Sequence, residues 1–196
     1  MTATKLSPEE VAIRPVTLAE WPDMQALFDE PGPHRGCWCM YWRLRRADFN
    51  ARYGQPLRQA MAEIIRAGRV PGILAYHQGR AVGWCSIAPR DEFPSLDRSP
   101  TLKRVDDEPV WSIVCFFITR PYRHRGLLDI LIAGAIAFAR QNGARTIEAY
   151  PLLPEKAAAQ PYERYMGVQT TFERLGFREV ARRSPRRLIM RYPIAD

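Results

Sequence analysis

A cluster of basic side chains and a glycine lies in a short turn between two apolar runs. Residues 110–119 are apolar, β-branched or aromatic except for Ser112 and Thr119, which predicts a buried strand. From Leu127 to Phe138, apolar residues recur every three or four positions, which predicts a helix. A strand that turns directly into a helix points free N–H groups and the positive end of the helix dipole at one place. The turn supplies Arg120, Arg123, His124, Arg125 and Gly126.

The chemistry of this turn suits an anion, and a pyrophosphate in particular. The basic side chains add donors to those of the backbone, and Gly126 lets the main chain approach a ligand closely because it has no Cβ. From the chemistry alone, an ordinary strand–helix turn with exposed arginines is an equally good interpretation.

The turn also resembles a motif of the GNAT superfamily of N-acetyltransferases. The signature of that motif, Arg/Gln-x-x-Gly-x-Gly/Ala after a central strand, aligns with residues 123–128, and its last position is Leu128. The resemblance implies that the turn holds the pyrophosphate of acetyl-CoA, and that the preceding strand splays from its parallel neighbour to receive the pantetheine arm. The implied cofactor-binding residues are Phe117, Ile118, Thr119, Arg123, His124, Arg125, Gly126, Leu127 and Leu128.

Two further segments are candidate acceptor-site loops, residues 31–56 and residues 89–109. In the family, the region after the first helix lines the acceptor pocket, and here it reads H-R-G-C-W-C-M-Y-W-R. Aromatic rings offer stacking faces and cation–π contacts to an amine, although packing in the core is the alternative. For residues 89–109 the alternative is a solvated surface excursion. The candidate substrate-binding residues are His34, Trp38, Tyr41 and Trp42.

Acyl transfer to an amine needs a route for protons and a place for the oxyanion. Glu148 is the candidate general base, with an outward-facing surface carboxylate as the alternative. The tyrosine that often serves the family as general acid aligns with Phe172, which has no proton to give, and Tyr165 is the candidate substitute. Backbone N–H groups near Phe117 and Ile118 are expected to stabilise the oxyanion.

The elements that position these residues follow the same resemblance. It implies an α/β (α+β) fold in one domain over residues 1–196, with a mixed central sheet of about six or seven strands flanked by about four helices. The helix between two buried strands should form a right-handed crossover, with the two strands as parallel neighbours. Residues 1–9 are expected to be frayed. The other expected elements are a strand over 11–15, a helix capped by Thr17, a helix from Pro56 to Gly68, a hairpin over 72–88, a strand over 144–151, a helix over 170–177 and a closing hairpin over 177–192.

Composition narrows the class of protein. Hydrophobic residues make up 46% of the chain and charged residues 26%, as in soluble globular proteins. No run approaches the roughly 20 apolar residues of a membrane helix, so we expect a cytoplasmic protein without a membrane partner. Cys37 and Cys39 lack the usual zinc spacing, so no metal is expected, and Cys85 and Cys115 are expected to be buried.

The favoured function is transfer of an acetyl group from acetyl-CoA to a primary amine of a small molecule, by direct transfer in a ternary complex. A net charge of +8 favours anionic partners such as CoA or nucleic acid. The first alternative is therefore acetylation of a nucleic-acid-linked amine such as aminoacyl-tRNA, with nucleic acid the less favoured partner. The second alternative is a CoA-binding regulator without turnover. The resemblance also allows a homodimer.

Overall fold

One mixed sheet of seven strands runs through the centre of the molecule. The computed structural model describes residues 4–30, 35–159 and 161–195. The strands are β1 (Val11–Pro15), β2 (Gly72–His77), β3 (Arg80–Pro89), β4 (Trp111–Ile118), β5 (Thr146–Ala149), β6 (Arg178–Ala181) and β7 (Ile189–Pro193). Their order across the sheet is β1-β2-β3-β4-β5-β7-β6. β4 and β5 are parallel, and the other neighbouring pairs are antiparallel.

Helices cover both faces of the sheet. The α-helices in the described residues are α1 (Trp21–Asp29), α2 (Arg46–Ala51), α3 (Gln55–Arg66), α4 (Pro94–Asp97), α5 (Leu127–Gln141), α6 (Pro154–Ala159) and α7 (Gln169–Arg174). The 3-10 helices are η1 (Pro8–Glu10), η2 (Arg90–Glu92), η3 (Arg120–Tyr122) and η4 (Pro161–Met166). The predicted fold class and sheet are confirmed. The helices outnumber the expected four or so because α2, α4, α6 and α7 have only four to six residues each.

The long helix α5 packs on one face of the sheet. Its buried stripe includes Leu127, Leu131 and Ala135, which join the core formed by Ile73, Ile113 and other sheet residues. α5 begins at Leu127 and connects the parallel neighbours β4 and β5, as the crossover rule predicts. Placing α5 there fixes the helix's N-terminus at the end of β4.

The opposite face is covered by α1, α3 and residues 35–45. Phe28, Trp38 and Trp84 belong to the core on this side. The predicted cap of the first helix is wrong, because α1 begins at Trp21 with Glu20 as its N-cap. The hydroxyl of Thr17 instead donates to Glu20 and accepts from the backbone of Ala19, which closes a turn before the helix.

Three segments that we expected to be irregular are packed instead. Residues 4–9 are not frayed: Leu6 is buried, and η1 follows it. Residues 89–109 contain η2 and α4. Phe93 between the two helices and Leu96 in α4 are fully buried, so this segment is not a solvated excursion. α2 interrupts the predicted acceptor loop, since Phe49 packs into the core. Within the described ranges, no helix is both long and apolar enough to cross a membrane.

β4 and β5 separate soon after they begin to pair. Their pairing runs only from Trp111 opposite Ile147 to Ile113 opposite Ala149. Val114 is then the extra residue of a β-bulge against β3, while β4 continues to pair with β3 as far as Ile118. The part of β4 after the bulge therefore has β3 on one side and an opening on the side of β5. We call this opening the β4–β5 gap.

Candidate active site

The turn at the end of β4 aims backbone donors at one place. Gly126 is the N-cap of α5 and has a left-handed conformation with φ 79°. Its carbonyl accepts from the N–H groups of Asp129 and Ile130, which starts the helix. The N–H groups of the first helical turn have no partner inside the helix and point out of its end. His124 is also left-handed, with φ 61°, a conformation that non-glycine residues adopt at a cost and that histidine adopts more often than most.

The N-terminal segment lies against the same turn. The N–H group of Leu6 donates to the carbonyl of Arg125 over 2.9 Å, and Nε of Arg125 donates to the carbonyl of Thr4 over 2.8 Å. A Cβ on Gly126 would lie 3.1 Å from the side chain of Lys5. The left-handed backbone at this position favours glycine, and the methylene carbons of Lys5 pack against it. No local pattern predicts that Lys5 lies here.

The strand before the turn presents backbone groups to the gap. The N–H group of Thr119 donates to the carbonyl of Val82 on β3 over 3.0 Å. The backbone N–H and C=O groups of successive residues point to opposite sides of a strand. Those of Phe117 therefore also point to β3, whereas those of Phe116 and Ile118 point to the gap. The carbonyl of Ile118 accepts from Nε of Arg123 over 3.0 Å. We predicted that N–H groups near Phe117 and Ile118 stabilise the oxyanion. This alternation favours the N–H group of Ile118, and that of Phe116 instead of that of Phe117.

η4 lines the gap beside β4. It packs against β4, and its Tyr165 contacts the same cluster of side chains as Trp42 and Cys115. Burial raises the pKa of Tyr165, so its hydroxyl keeps its proton at neutral pH. Phe172, in contrast, is fully buried between Phe116 and Phe177 and does not reach the gap.

The predicted aromatic wall divides into a core part and an exposed part. Trp38 is only 4% exposed and stacks on Phe28 with ring centroids 5.2 Å apart, so it belongs to the core. Tyr41 and Trp42 are half-buried and meet edge to face at 4.9 Å. Nε1 of Trp42 is buried and has no hydrogen-bond partner in the part of the chain that the structure describes. His34 lies outside the described residues.

Glu148 is fully buried, so the alternative of a surface carboxylate is wrong. Its Oε1 accepts from Nη1 of Arg90 at 2.8 Å and from the hydroxyl of Tyr150 at 2.7 Å. Its Oε2 accepts from Nε of Arg191 at 2.9 Å. Glu148 thus joins residues 89–109, β5 and β7, and both of its oxygens are already engaged. This geometry favours a structural role over that of a general base.

Three cysteines converge next to the gap. Cys39 is buried and its Sγ accepts from Nε1 of Trp84 over 3.0 Å. A hydrogen bond with Cys39, together with burial, raises the pKa of Cys37. Cys115 follows the bulge in β4 and is half-buried, so the prediction that it is buried is wrong, whereas Cys85 is fully buried as predicted. Raised pKa values keep Cys37 and Cys39 in the thiol form.

Arg187, which is mostly buried, lies beside Tyr165. Nη1 of Arg187 donates to the carbonyl of Tyr150, and Nη2 donates to the carbonyl of Glu163. The guanidinium lies 5.5 Å from the centre of the Tyr165 ring. We did not predict Arg187 or Arg90 as site residues, because nothing local distinguishes them from the many other arginines. Their partners come from distant parts of the chain.

A diverging pair of parallel strands, with a helix N-terminus at the end of the longer strand, defines the class of acyltransferase folds in which a CoA thioester lies between the strands. A sequence model of the acetyltransferase (GNAT) family matches residues 37–168, which is more than half of the chain. The chain therefore belongs to the GNAT acetyltransferase family and is an N-acetyltransferase. Proteins of this family use acetyl-CoA. No curated protein sequence matches the chain.

Solved structures of GNAT proteins share the fold. An acetyltransferase of the GNAT family from Streptococcus agalactiae superposes with a TM-score of 0.56 at 14% identity, over 95% of this chain and 96% of the other. A histone acetyltransferase HPA2-related protein from Corynebacterium glutamicum gives 0.53 at 20% identity, over 95% and 98%. The NatC complex bound to Gag peptide and CoA contains a chain that gives 0.52 at 12% identity, over 95% and 99%. At these identities the likeness shows the fold.

Proposed function

We propose that the protein transfers the acetyl group of acetyl-CoA to the primary amine of a small molecule, by direct attack in a ternary complex. The observation that carries this proposal is the separation of β4 from β5 after Ile113 and Ala149, next to the N-terminus of α5. The opening and the turn at its end lie where an extended thioester arm and a diphosphate would be held together.

The turn supplies the groups that would hold the diphosphate. Gly126 places no Cβ beside the first N–H groups of α5, and Lys5, Arg123 and Arg125 lie at the same turn. An anion at this position is favoured by the donors and by the helix dipole. Acetyl-CoA, when bound, supplies an acetyl group activated as a thioester. The side chains and backbone of the gap then need only orient the two reactants, stabilise the oxyanion and exclude water.

The gap supplies oxyanion donors and a proton. Backbone N–H groups of Phe116 and Ile118 face the opening and can donate to an oxyanion. The hydroxyl of Tyr165, which stays protonated, can provide the proton that a leaving thiolate takes up. The amide bond forms as the thioester bond breaks, and the proton lost by the amine balances the proton gained by the thiol.

No dedicated base is assigned, because the carboxylates beside the wall are engaged. Glu148 is bonded to Arg90 and Arg191, and Glu163 is bonded to Arg186. Holding the two reactants in contact can by itself lower the barrier by roughly 7–11 kcal/mol. Positioning therefore supplies most of the catalysis in this proposal.

The contacts of the C-terminal arginines weigh against a nucleic-acid-linked acceptor. Arg182 pairs with Glu179, Arg191 pairs with Asp106, and Arg183 donates to the carbonyls of Lys103 and Arg104. These side chains are engaged within the chain and are not spread out as a phosphate-binding stripe. A small-molecule amine remains the favoured acceptor.

The proposal is tested by incubating the protein with acetyl-CoA and pools of primary amines and following acetylated products by mass spectrometry. We expect at least one amine to gain an acetyl group at a rate proportional to enzyme concentration. Binding of CoA without acetylation of any amine would support a regulator instead.

A further inference from the structure

Arg187 is a mostly buried cation that shares one carboxylate, that of Glu163, with Arg186. With Trp42, Cys115 and Tyr165 it forms a surface that we call the acceptor wall. The side chain of Arg187 is 12% exposed, and its donors reach two neutral carbonyl oxygens, those of Tyr150 at 3.0 Å and Glu163 at 2.8 Å. The carboxylate of Glu163 is 3.6 Å away and is bonded to Arg186 at 2.5 Å. Burial lowers the pKa of Arg187, which reflects this incomplete compensation.

The position of Arg187 connects it to the gap. Tyr150 follows β5 directly, where β5 has left β4, and Tyr165 beneath the guanidinium packs with Cys115 of β4. Trp42 contacts the same cluster. Arg187 therefore borders the place where an amine would meet the thioester.

Two further cations lie at this edge, besides the carboxylates of Glu163 and Asp48. Arg46 lies over the ring of Tyr41 at 4.5 Å and is exposed to solvent, as is Arg45 before it. A cationic amine with a second positive charge would be repelled here, whereas an amine that carries an anion would be attracted. The same field lowers the pKa of the attacking ammonium group, which helps to form the neutral nucleophile without a base.

We propose that the acceptor is an amine that also carries a carboxylate, of the amino-acid type, and that Arg187 binds this carboxylate. The planar guanidinium suits a carboxylate because it can donate two parallel hydrogen bonds. This inference rests on the proposed function, since it names the acceptor class of the same site.

The test compares matched amines in one enzyme preparation. Phenylalanine and phenethylamine, tryptophan and tryptamine, and arginine and agmatine each differ by one carboxylate. We expect wild type to favour the carboxylated member by about tenfold to a hundredfold in kcat/KM, the range of a hydrogen bond to a charged group. Arg187→Gln should bring the ratio close to one, and Arg187→Lys should restore part of it.

Arg183→Gln is the matched control, because Arg183 also donates to two backbone carbonyls but lies at Lys103 and Arg104. It should leave the ratio unchanged. If Arg187 only ties η4 to the end of β5, its replacement will lower the rates of both members equally, and the inference is wrong.

A second comparison needs no variant. Each amino acid is assayed against its carboxamide with wild type, and the carboxylate should again be favoured although the amide has the more acidic ammonium group. Acetylation of amines with equal rates, or with a preference for the uncharged or decarboxylated member, overturns the carboxylate inference alone. Failure to acetylate any amine overturns the proposed function and this inference with it.

Discussion

The turn at the start of α5 and the acceptor wall are built in different ways. The turn is one continuous stretch from Thr119 to Leu128, and its donors are mainly backbone N–H groups. The wall is made of side chains from separate segments, with Trp42, Cys115, Tyr165 and Arg187 each on a different one. A site made of local backbone leaves a motif in the sequence, whereas a site assembled from distant side chains does not. The predictions below test that division of roles.

The largest effect is expected at the turn. Gly126→Asp should weaken CoA binding a hundredfold or more, because unit charges about 5 Å apart at an effective dielectric of about 20 repel by about 3 kcal/mol. Gly126→Asn has the same shape without the charge and should weaken binding less. Calorimetric titration with CoA measures the dissociation constant of each variant.

Gly143→Asp is the matched control, since Gly143 shares the φ of 79° at the other end of α5. It places the same residue in the same backbone conformation, with open space around its Cβ. If Gly126→Asp and Gly143→Asp weaken CoA binding equally, strain in the helix is responsible and not repulsion of the diphosphate.

The wall should depend on a buried network for its stability. Glu148→Gln removes the charge that Arg90 and Arg191 share, although Arg90 keeps Asp97 and Arg191 keeps Asp106. It should lower the free energy of unfolding by roughly 2 kcal/mol, the range of hydrogen bonds to charged groups. Glu179→Gln, which breaks the exposed pair with Arg182, should cost less than about 1 kcal/mol. Urea unfolding measures both. A stable Glu148→Gln protein whose kcat falls by about a hundredfold or more would make Glu148 the base after all.

Tyr165→Phe should lower kcat by about tenfold to a hundredfold with little change in the KM of acetyl-CoA, as expected when a general acid is lost. Burial raises the pKa of Tyr165 above its usual value of about 10, so the wild-type rate should show no loss from this group up to that pH. Steady-state kinetics from pH 6 to about pH 10 provide the test. An unchanged kcat at every pH would exclude Tyr165 as the acid.

The smallest effect is expected at Trp42. Trp42→Phe should raise the KM of the acceptor by about threefold to tenfold while leaving that of acetyl-CoA unchanged, because it reduces the aromatic face that the half-buried ring offers to a substrate. Trp38→Phe, in the core, should instead lower the melting temperature and leave both KM values unchanged. If the two variants behave alike, the exposed and core parts of the aromatic segment do not differ in role.

The predictable parts of the molecule were those encoded locally. β4, the turn and α5 follow from an apolar run, a glycine and a helical repeat in one stretch, and their parallel partner β5 follows from the crossover rule. Short helices such as α2 and α4 were missed because burial of Phe49 and Leu96, and not a long periodic pattern, stabilises them.

The acceptor wall could be predicted only in part. The aromatic composition of residues 35–45 pointed to Tyr41 and Trp42, but whether a ring faces the core or the gap depends on what packs against it. Stacking on Phe28 decides this for Trp38. Arg187 and the half-exposed Cys115 depend on η4 and on the bulge at Val114, which no local pattern reveals.

Backbone amide NMR during titration with CoA tests the central claim most directly. The account predicts that the amide signals of Gly126, Leu127 and Leu128 shift and become protected from exchange, while that of Gly143 at the far end of α5 stays in place. Binding of CoA that shifts amides elsewhere and leaves those three unchanged would contradict it.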